Sequence, residues 1–266
     1  MGVRFPTVYL PHGGGPWPFV EMGMPRADVD ALAGYLRALP SLAPVRPRAL
    51  VVVTAHWEAP VVTVSTSAAP PMLYDYYGFP PASYQITWPA PGAPAVAAQV
   101  KAQLAGAGLP VAEDAARGFD HGTFVPMKVA YPAADVPCVQ LSLVTGLDPE
   151  AHLAIGRALA PLREDGIFLL GSGMSFHNMR AFGDPRAWDV SLQFDDWLRE
   201  SVAKPRAERE ERLRQWAKAP AGRACHPREE HLLPLMVIAG AAGDDAGRVD
   251  WSGRMLGTRI SSVRFG

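Results

Sequence analysis

The sequence predicts an α/β fold: a single-domain sandwich in which a central, mostly parallel or mixed sheet is flanked by helices. Three observations lead there. Short runs rich in Val, Ile and Leu recur along the chain, several of them apolar on consecutive residues, as strands covered on both faces must be. Segments with helical signals lie between those runs, and strand–helix alternation of this kind builds a layered sheet. The length of 266 residues suffices for one large core.

Taken in order, strands are expected at Val8–Leu10, Ala49–Thr54, Val61–Ser65, Val136–Leu143, Ile167–Leu170 and Ile260–Phe265. A helix over Ala27–Leu39 follows Pro25, and another over Pro94–Ala107 starts on a proline and stops at Gly108. Pro149–Leu162 begins after Asp148, whose carboxylate suits the cap position, with Pro149 at the first turn. Pro126–Tyr131 reads as helical. From Trp188 to Lys218 apolar positions recur near helical spacing with Pro205 dividing the stretch, and the charge run Ala207–Gln215 reads as a solvated face. Residues 60–94 stand apart, combining eight prolines with Tyr74, Tyr76, Tyr77, Phe79, Tyr84 and Trp88. Such a segment is expected to cover a substrate or to pack its rings on the body.

The formal net charge of −1 gives no bulk pull toward nucleic acid or an anionic membrane, so a small molecule is the expected partner. The N-terminus is broken by prolines where a signal peptide needs an apolar run, and no stretch reaches the roughly 18 apolar residues of a membrane span. Cys138 and Cys225 are the only cysteines and form no Cys-x-x-Cys, which argues against a disulfide framework or a thiolate zinc site and makes the cytoplasm the expected compartment. The sequence carries no signal for an oligomeric state.

The chemistry lies in the histidines. His12 follows an apolar strand and precedes Gly13, Gly14 and Gly15; His56 ends the run ALVVVTAH; His177 follows a strand and the flexible Gly171-Ser172-Gly173, with Asn178 beside it. Open α/β sheets gather their sites at strand carboxyl ends, and neutral imidazole is a common transition-metal ligand. His177 suits either a ligand or a general base. His231 lies in Pro227–Pro234, where Pro227 and the carboxylates that follow suit a helix start. His226, about 140° around such a helix, faces elsewhere. His121 sits in a loop with Asp120 as the candidate for holding its tautomer, and His152 is expected on a surface helix. There is no His-Glu-x-x-His and no P-loop. Gly-Met-Ser-Phe-His at 173–177 misses a serine-hydrolase elbow by its fifth residue.

Six blocks taken together carry a family resemblance: Pro11-His12-Gly13-Gly14, Thr54-Ala55-His56-Trp57, Gly118–Gly122, Val139-Gln140-Leu141-Ser142, Gly171-Ser172-Gly173 with His177-Asn178, and Glu230-His231-Leu232-Leu233-Pro234-Leu235. In this order and spacing the chain resembles the class III extradiol ring-cleavage dioxygenases, the DOPA 4,5-dioxygenase-type branch most closely. The resemblance implies one catalytic domain over 1–266, holding a non-haem Fe(II) that binds a catechol-type aromatic and O₂ and inserts both oxygen atoms beside the diol. It places His12, His56 and His231 as metal ligands, His177 as an acid/base residue beside the metal, and His121 as a pocket residue hydrogen-bonding substrate or oxygen intermediates. The third matched ligand is a histidine where the usual facial triad has a carboxylate. A three-histidine set also suits Zn(II), so zinc is expected in isolated protein. Two further readings are a zinc hydrolase using the same histidines and a non-catalytic binding protein of the same fold.

Overall fold

The computed structural model describes residues 3–266. A single sheet of eight strands runs through the molecule: β1 (Thr7–Pro11), β2 (Ala49–Ala59), β3 (Val62–Ser65), β4 (Val111–Asp114), β5 (Cys138–Val144), β6 (Ile167–Gly173), β7 (Gly247–Met255) and β8 (Thr258–Phe265). Their spatial order is β4-β3-β5-β2-β6-β1-β8-β7. The four central strands, β5, β2, β6 and β1, are mutually parallel, while β3 meets β5 and β8 meets β1 in antiparallel fashion. Leu50–Val53 and Ile167–Leu170 are fully or almost fully buried, which accounts for their unbroken apolar sequence.

The helices are α1 (Arg26–Ala38), α2 (Pro94–Gly106), α3 (His121–Ala130), α4 (Pro149–Leu159), α5 (Ala187–Val202), α6 (Arg206–Arg214), the single turn α7 (Gly222–Cys225) and α8 (Leu233–Ala242). Asp148 caps α4 as expected, accepting from the Glu150 and Ala151 amides at 3.3 Å, an arrangement worth about 1 kcal/mol. Two glycines govern how the sheet is covered. A methyl group at Gly171 would stand 2.6 Å from Ile238 Cγ1, and one at Gly173 would stand 2.1 Å from the His231 carbonyl oxygen. Ser172, between them, points the other way and donates to the Gly122 carbonyl in α3. Side chains alternate along a strand, so α8 and α3 lie on opposite faces of β6. Gly156 and Gly240 let α4 and α8 approach equally closely, since a methyl at either would fall 2.0 or 2.2 Å from the partner helix's carbonyl oxygen. Among the described residues no helix is long and apolar enough to cross a membrane.

The structure corrects several sequence expectations. Gly171-Ser172-Gly173 is not a flexible loop but the end of β6, and its glycines answer the close approach of α8. The helix expected to start at Pro227 starts at Leu233, with Pro234 in its first turn; the chain bends at 227–228 and turns at 230–232. His121 opens α3 rather than lying in the loop before it. His152 is fully buried, its Nε2 accepting from the Val144 amide. The charge run in α6 is only partly a solvated face: Arg209 is buried against the Phe265 ring and donates to the carbonyls of Gly243 and Asp245, and Glu210 takes Arg157 and Arg206. Strands β4 and β7 are additional to those expected. Residues 60–94 divide between the two roles proposed for them. Trp88 is fully buried and donates to the Tyr131 carbonyl at 2.8 Å, whereas Asp75, Tyr76 and Phe79 reach the site.

Candidate metal centre

The carboxyl ends of β1, β2 and β6 open into one cavity of about 270 Å³, and all five singled-out histidines line it. His12 directly follows β1, its amide held by the Gly173 carbonyl at 3.2 Å. His56 lies where β2 falls out of register with β5 between Val53 and Glu58. That irregularity turns the ring toward the cavity, and bulges commonly re-aim a side chain beside an active site. Arg117 grips the irregular stretch, donating to the His56 carbonyl at 3.1 Å and to Asp120 at 3.0 Å, with its guanidinium over Trp57. His231 precedes α8, and its carbonyl accepts from the Tyr9 hydroxyl at 2.8 Å and the Met174 amide at 3.0 Å. His177 follows β6, its amide on the Cys225 carbonyl.

Every one of these imidazoles turns Nδ1 toward an oxygen atom. His12 Nδ1 is 3.1 Å from Ser172 Oγ, His121 Nδ1 2.7 Å and His56 Nδ1 3.4 Å from the two oxygens of Asp75, and His231 and His177 Nδ1 are 2.9 and 3.1 Å from Glu230 Oε1. The tautomers follow. Ser172 spends its proton on Gly122, so toward His12 it only accepts, and ionised carboxylates only accept. His12, His121 and His231 therefore carry their hydrogen on Nδ1 and leave Nε2 bare, and the nearby Asp75 and Glu230 oxygens favour the same tautomer at His56 and His177. Carboxylate or hydroxyl support of the distal nitrogen is the usual arrangement behind metal-binding histidines.

Bare nitrogens converge. Nε2 of His12 and Nε2 of His56 are 3.1 Å apart, and two lone pairs aimed at each other repel unless a cation sits against both. With metal–nitrogen bonds near 2.1 Å, ligands at right angles on one ion lie about 3 Å apart. Ring centroids extend the test. Such rings would be about 4.5–5.2 Å apart for angles between the octahedral and tetrahedral values. His12–His56, His56–His231 and His12–His231 are separated by 4.8, 4.9 and 5.2 Å. His121 also brings a nitrogen within 4.8 Å of those of His12 and His56, but its ring lies 3.9 Å from His56 and 5.5 Å from His12, outside that range on both sides. His177 stacks face to face on His231, centroids 3.4 Å apart and planes 18° from parallel. The ligand atom of His231 also lies within 4.8 Å of those of His177 and Glu230. The residues at hand fit a metal site built from histidines.

Electrostatics keep the cage neutral and receptive. Burial, reinforced by the neighbouring histidines, pushes His12 and His231 well below the ordinary imidazole value and takes His56 to about 3. Burial would raise Asp75, but the hydrogen bond from His121 outweighs it and the carboxylate ends below its usual range; Glu230 is lowered against burial in the same way by His177. Asp120, fully buried, is raised to about 6 by desolvation and by nearby Asp75.

The expected helpers differ from the observed ones. Asp120 does not touch His121: it accepts from Thr54 Oγ1 at 2.8 Å, Gln140 Nε2 at 2.9 Å and Arg117, bracing the irregular stretch of β2. Asn178 binds the Ala224 carbonyl rather than orienting His177. His226 lies apart, its Nε2 donating to the Ser175 carbonyl. Asp75 and Ser172 were missed as supports. For Asp75 a sequence signal exists, since it is the only charged residue between Glu58 and Lys101.

Fold and cavity together define an α/β protein with a cluster of imidazoles gathered beside the carboxyl ends of its parallel strands. Comparison with known proteins agrees. The family described as the catalytic LigB subunit of aromatic ring-opening dioxygenase matches residues 6–262. The dioxygenase tasH of Hapsidospora irregularis is 37% identical, covering 100% of this chain and 86% of that protein. The 4,5-DOPA dioxygenase extradiol of Beta vulgaris is 36% identical over 86% of this chain and 87% of its own, and that of Escherichia coli K12 is 34% identical over 90% and 85%. A crystal structure of an uncharacterized protein from Escherichia coli K12 superposes with a TM-score of 0.80 at 30% identity, covering 99% of this chain and 100% of that one. The chain belongs to the LigB family of class III extradiol dioxygenases, and it is an enzyme of that type.

Proposed function

We propose that this protein is an Fe(II)-dependent extradiol dioxygenase that opens a catechol-type aromatic ring with O₂, the whole of 1–266 acting as one catalytic domain. The observation that carries the assignment is the 3.1 Å approach of two bare Nε2 atoms, His12 and His56, with His231 at matching ring distance from both. These three residues hold the metal. Bound Fe(II) supplies a positive charge that favours the ionised diol and a redox centre that brings O₂ into reaction.

The remaining chemistry belongs to side chains. His177, tied at Nδ1 to Glu230 and about one-fifth exposed to the cavity, presents Nε2 to take a proton from the diol and later return it. His121, fixed through Asp75, presents its Nε2 to a hydroxyl or oxygen of the bound substrate. Tyr76 and Phe79 close one wall and keep water out. Glu230 stands where it supports His231 and His177 rather than the ion itself, so its negative charge strengthens two imidazoles at once. Small aromatic diol and O₂ are the partners, without nucleic acid or membrane, and the two buried free thiols suit the cytoplasm.

The test is anaerobic reconstitution with Fe(II), then oxygen-electrode and absorbance screening of catechols. Oxygen uptake with a ring-opened chromophore is expected; none across a broad panel overturns the proposal. A second reading, a zinc hydrolase, is favoured by the three neutral ligands. Ester or amide hydrolysis by zinc-loaded protein under strict anaerobiosis would establish it instead, whereas a zinc-loaded but inert protein agrees with the dioxygenase.

A further inference from the structure

The cavity lining is of two chemical kinds. One is the histidine cage; the other is the apolar set Met22, Phe79, Met174, Phe182, Met255 and Leu256, and no lysine, arginine, serine, threonine, asparagine or glutamine lines the cavity among the described residues. Tyr76 offers the only hydroxyl on the wall, and it is already donated to the Ser83 carbonyl at 2.5 Å. Gly14 forms floor between two thioethers: a methyl group there would meet Met255 Cε at 3.7 Å and Met22 Cε at 3.8 Å. At the mouth stands Met179, 70% exposed.

Resting on the dioxygenase reading, we infer that the substrate is a catechol whose ring substituent is compact, apolar and uncharged, such as a short alkyl group, and not a carboxylate- or amino-acid-bearing side chain. When the diol is directed to the histidines, whatever the ring carries faces the methionine wall. A carboxylate or ammonium there would give up hydration and find no side-chain partner of opposite charge, the backbone amides of Gly13–Gly15 being the polar groups at hand, whereas an alkyl group exchanges water for thioether and aromatic contact. Methionine side chains adapt to irregular apolar shapes, which suits a short branched or unbranched substituent. The cavity, near the lower limit for small-molecule sites, fits one ring with a small appendage. The cationic residue closest in sequence to the mouth is Arg180, which follows Met179 and is exposed.

Equilibrium binding decides this without depending on turnover. Fe(II)-loaded protein is titrated calorimetrically under strict anaerobiosis with 4-ethylcatechol, 3,4-dihydroxyphenylpropionate and dopamine, which keep the diol and change the charge at the end of the chain. The ethyl compound is expected to bind at least tenfold more tightly than either charged one. Met179→Arg, a change at an exposed position, is expected to narrow the gap to the propionate while Arg180→Ala leaves the wild-type preference intact. Equal or tighter binding of a charged compound, loss of discrimination in Arg180→Ala, or no measurable binding of any of the three overturns the inference. Admitting O₂ to the same samples reads the underlying proposal separately: selective binding of 4-ethylcatechol with no oxygen uptake upholds the substrate class and defeats the ring-opening reaction.

Discussion

Asp75 ties an irregular, proline-rich segment to the reaction centre by accepting the Nδ1 hydrogen of His121 at 2.7 Å and its backbone amide at 3.0 Å. Its other oxygen faces His56 Nδ1 at 3.4 Å, so one carboxylate sets two rings on different elements. Asp75→Asn offers an amide nitrogen where one ring needs an acceptor. Turnover is expected to fall about 10- to 100-fold, with far-ultraviolet circular dichroism unchanged. Steady-state kinetics beside metal analysis checks this; an unaltered kcat would mean that the carboxylate serves only to anchor the segment.

Ligands and acid/base residue should separate by what they release. If the proposed ligands hold the metal, His12→Ala, His56→Ala and His231→Ala each remove one of its three points and are expected to lose it. His177→Ala keeps all three corners and is expected to retain most metal while turnover drops by about 10²–10⁴. Metal-to-protein ratios after desalting give the answer. An empty His177→Ala protein would place that residue among the ligands.

Gly122 is a second control point. A methyl group on it would stand 2.8 Å from both His56 Cδ2 and Thr54 Oγ1, and 3.2 Å from an Asp120 oxygen. Thr54 and Asp120 are fully buried and hydrogen-bonded to each other, so the His56 ring must yield. Gly122→Ala is expected to cost about 1–3 kcal/mol of stability and to weaken metal binding about tenfold or more. Urea unfolding and metal titration together measure both effects.

Acid should destabilise the metal-free protein, and His226 offers a way to see it outside the cage. Burial takes this ring to about 3 from an ordinary 6.5, with the Ser175 carbonyl opposing only in part. Between those values the unfolded chain binds a proton that the native ring refuses, so stability is complete above 6.5 and falls as pH drops through the window. His12, His56 and His231 shift in the same direction and steepen the fall. Replacing His226 by Gln, whose amide can still donate to Ser175, is expected to lower stability at pH 7 but to flatten the slope between pH 6 and 4 by about 1.4 kcal/mol per pH unit. Denaturation series at several pH values check it; an unchanged slope would mean the ring is protonated in the native state.

Much of the centre was legible because parallel strands deliver their last residues to one edge of a sheet. His12 and His177 could be placed from the apolar runs that precede them, and His56 from the same rule, although the loss of register that aims it depends on β5 and leaves no local trace. What sequence patterns could not carry were requirements imposed from a distance. Gly171 and Gly173 read as hinge residues but are small because α8 lies on them. Asp120 neighbours His121 in sequence yet supports β2, while the true partner, Asp75, is 46 residues away. The start of α8 was placed six residues early because Pro227 and the following carboxylates imitate a helix start that bends and turns occupy instead.

The His231 carbonyl, pinned by the Tyr9 hydroxyl and the Met174 amide, joins the last quarter of the chain to its first strand. A ribosome must therefore finish most of the polypeptide, and α8 must settle on the sheet, before His231 joins His12 and His56 at the cavity. Completion of the histidine cluster is thereby a late event in the life of each molecule. Under the proposed assignment, nascent chains carrying only His12 and His56 offer an ion no more than two-point, weak attachment.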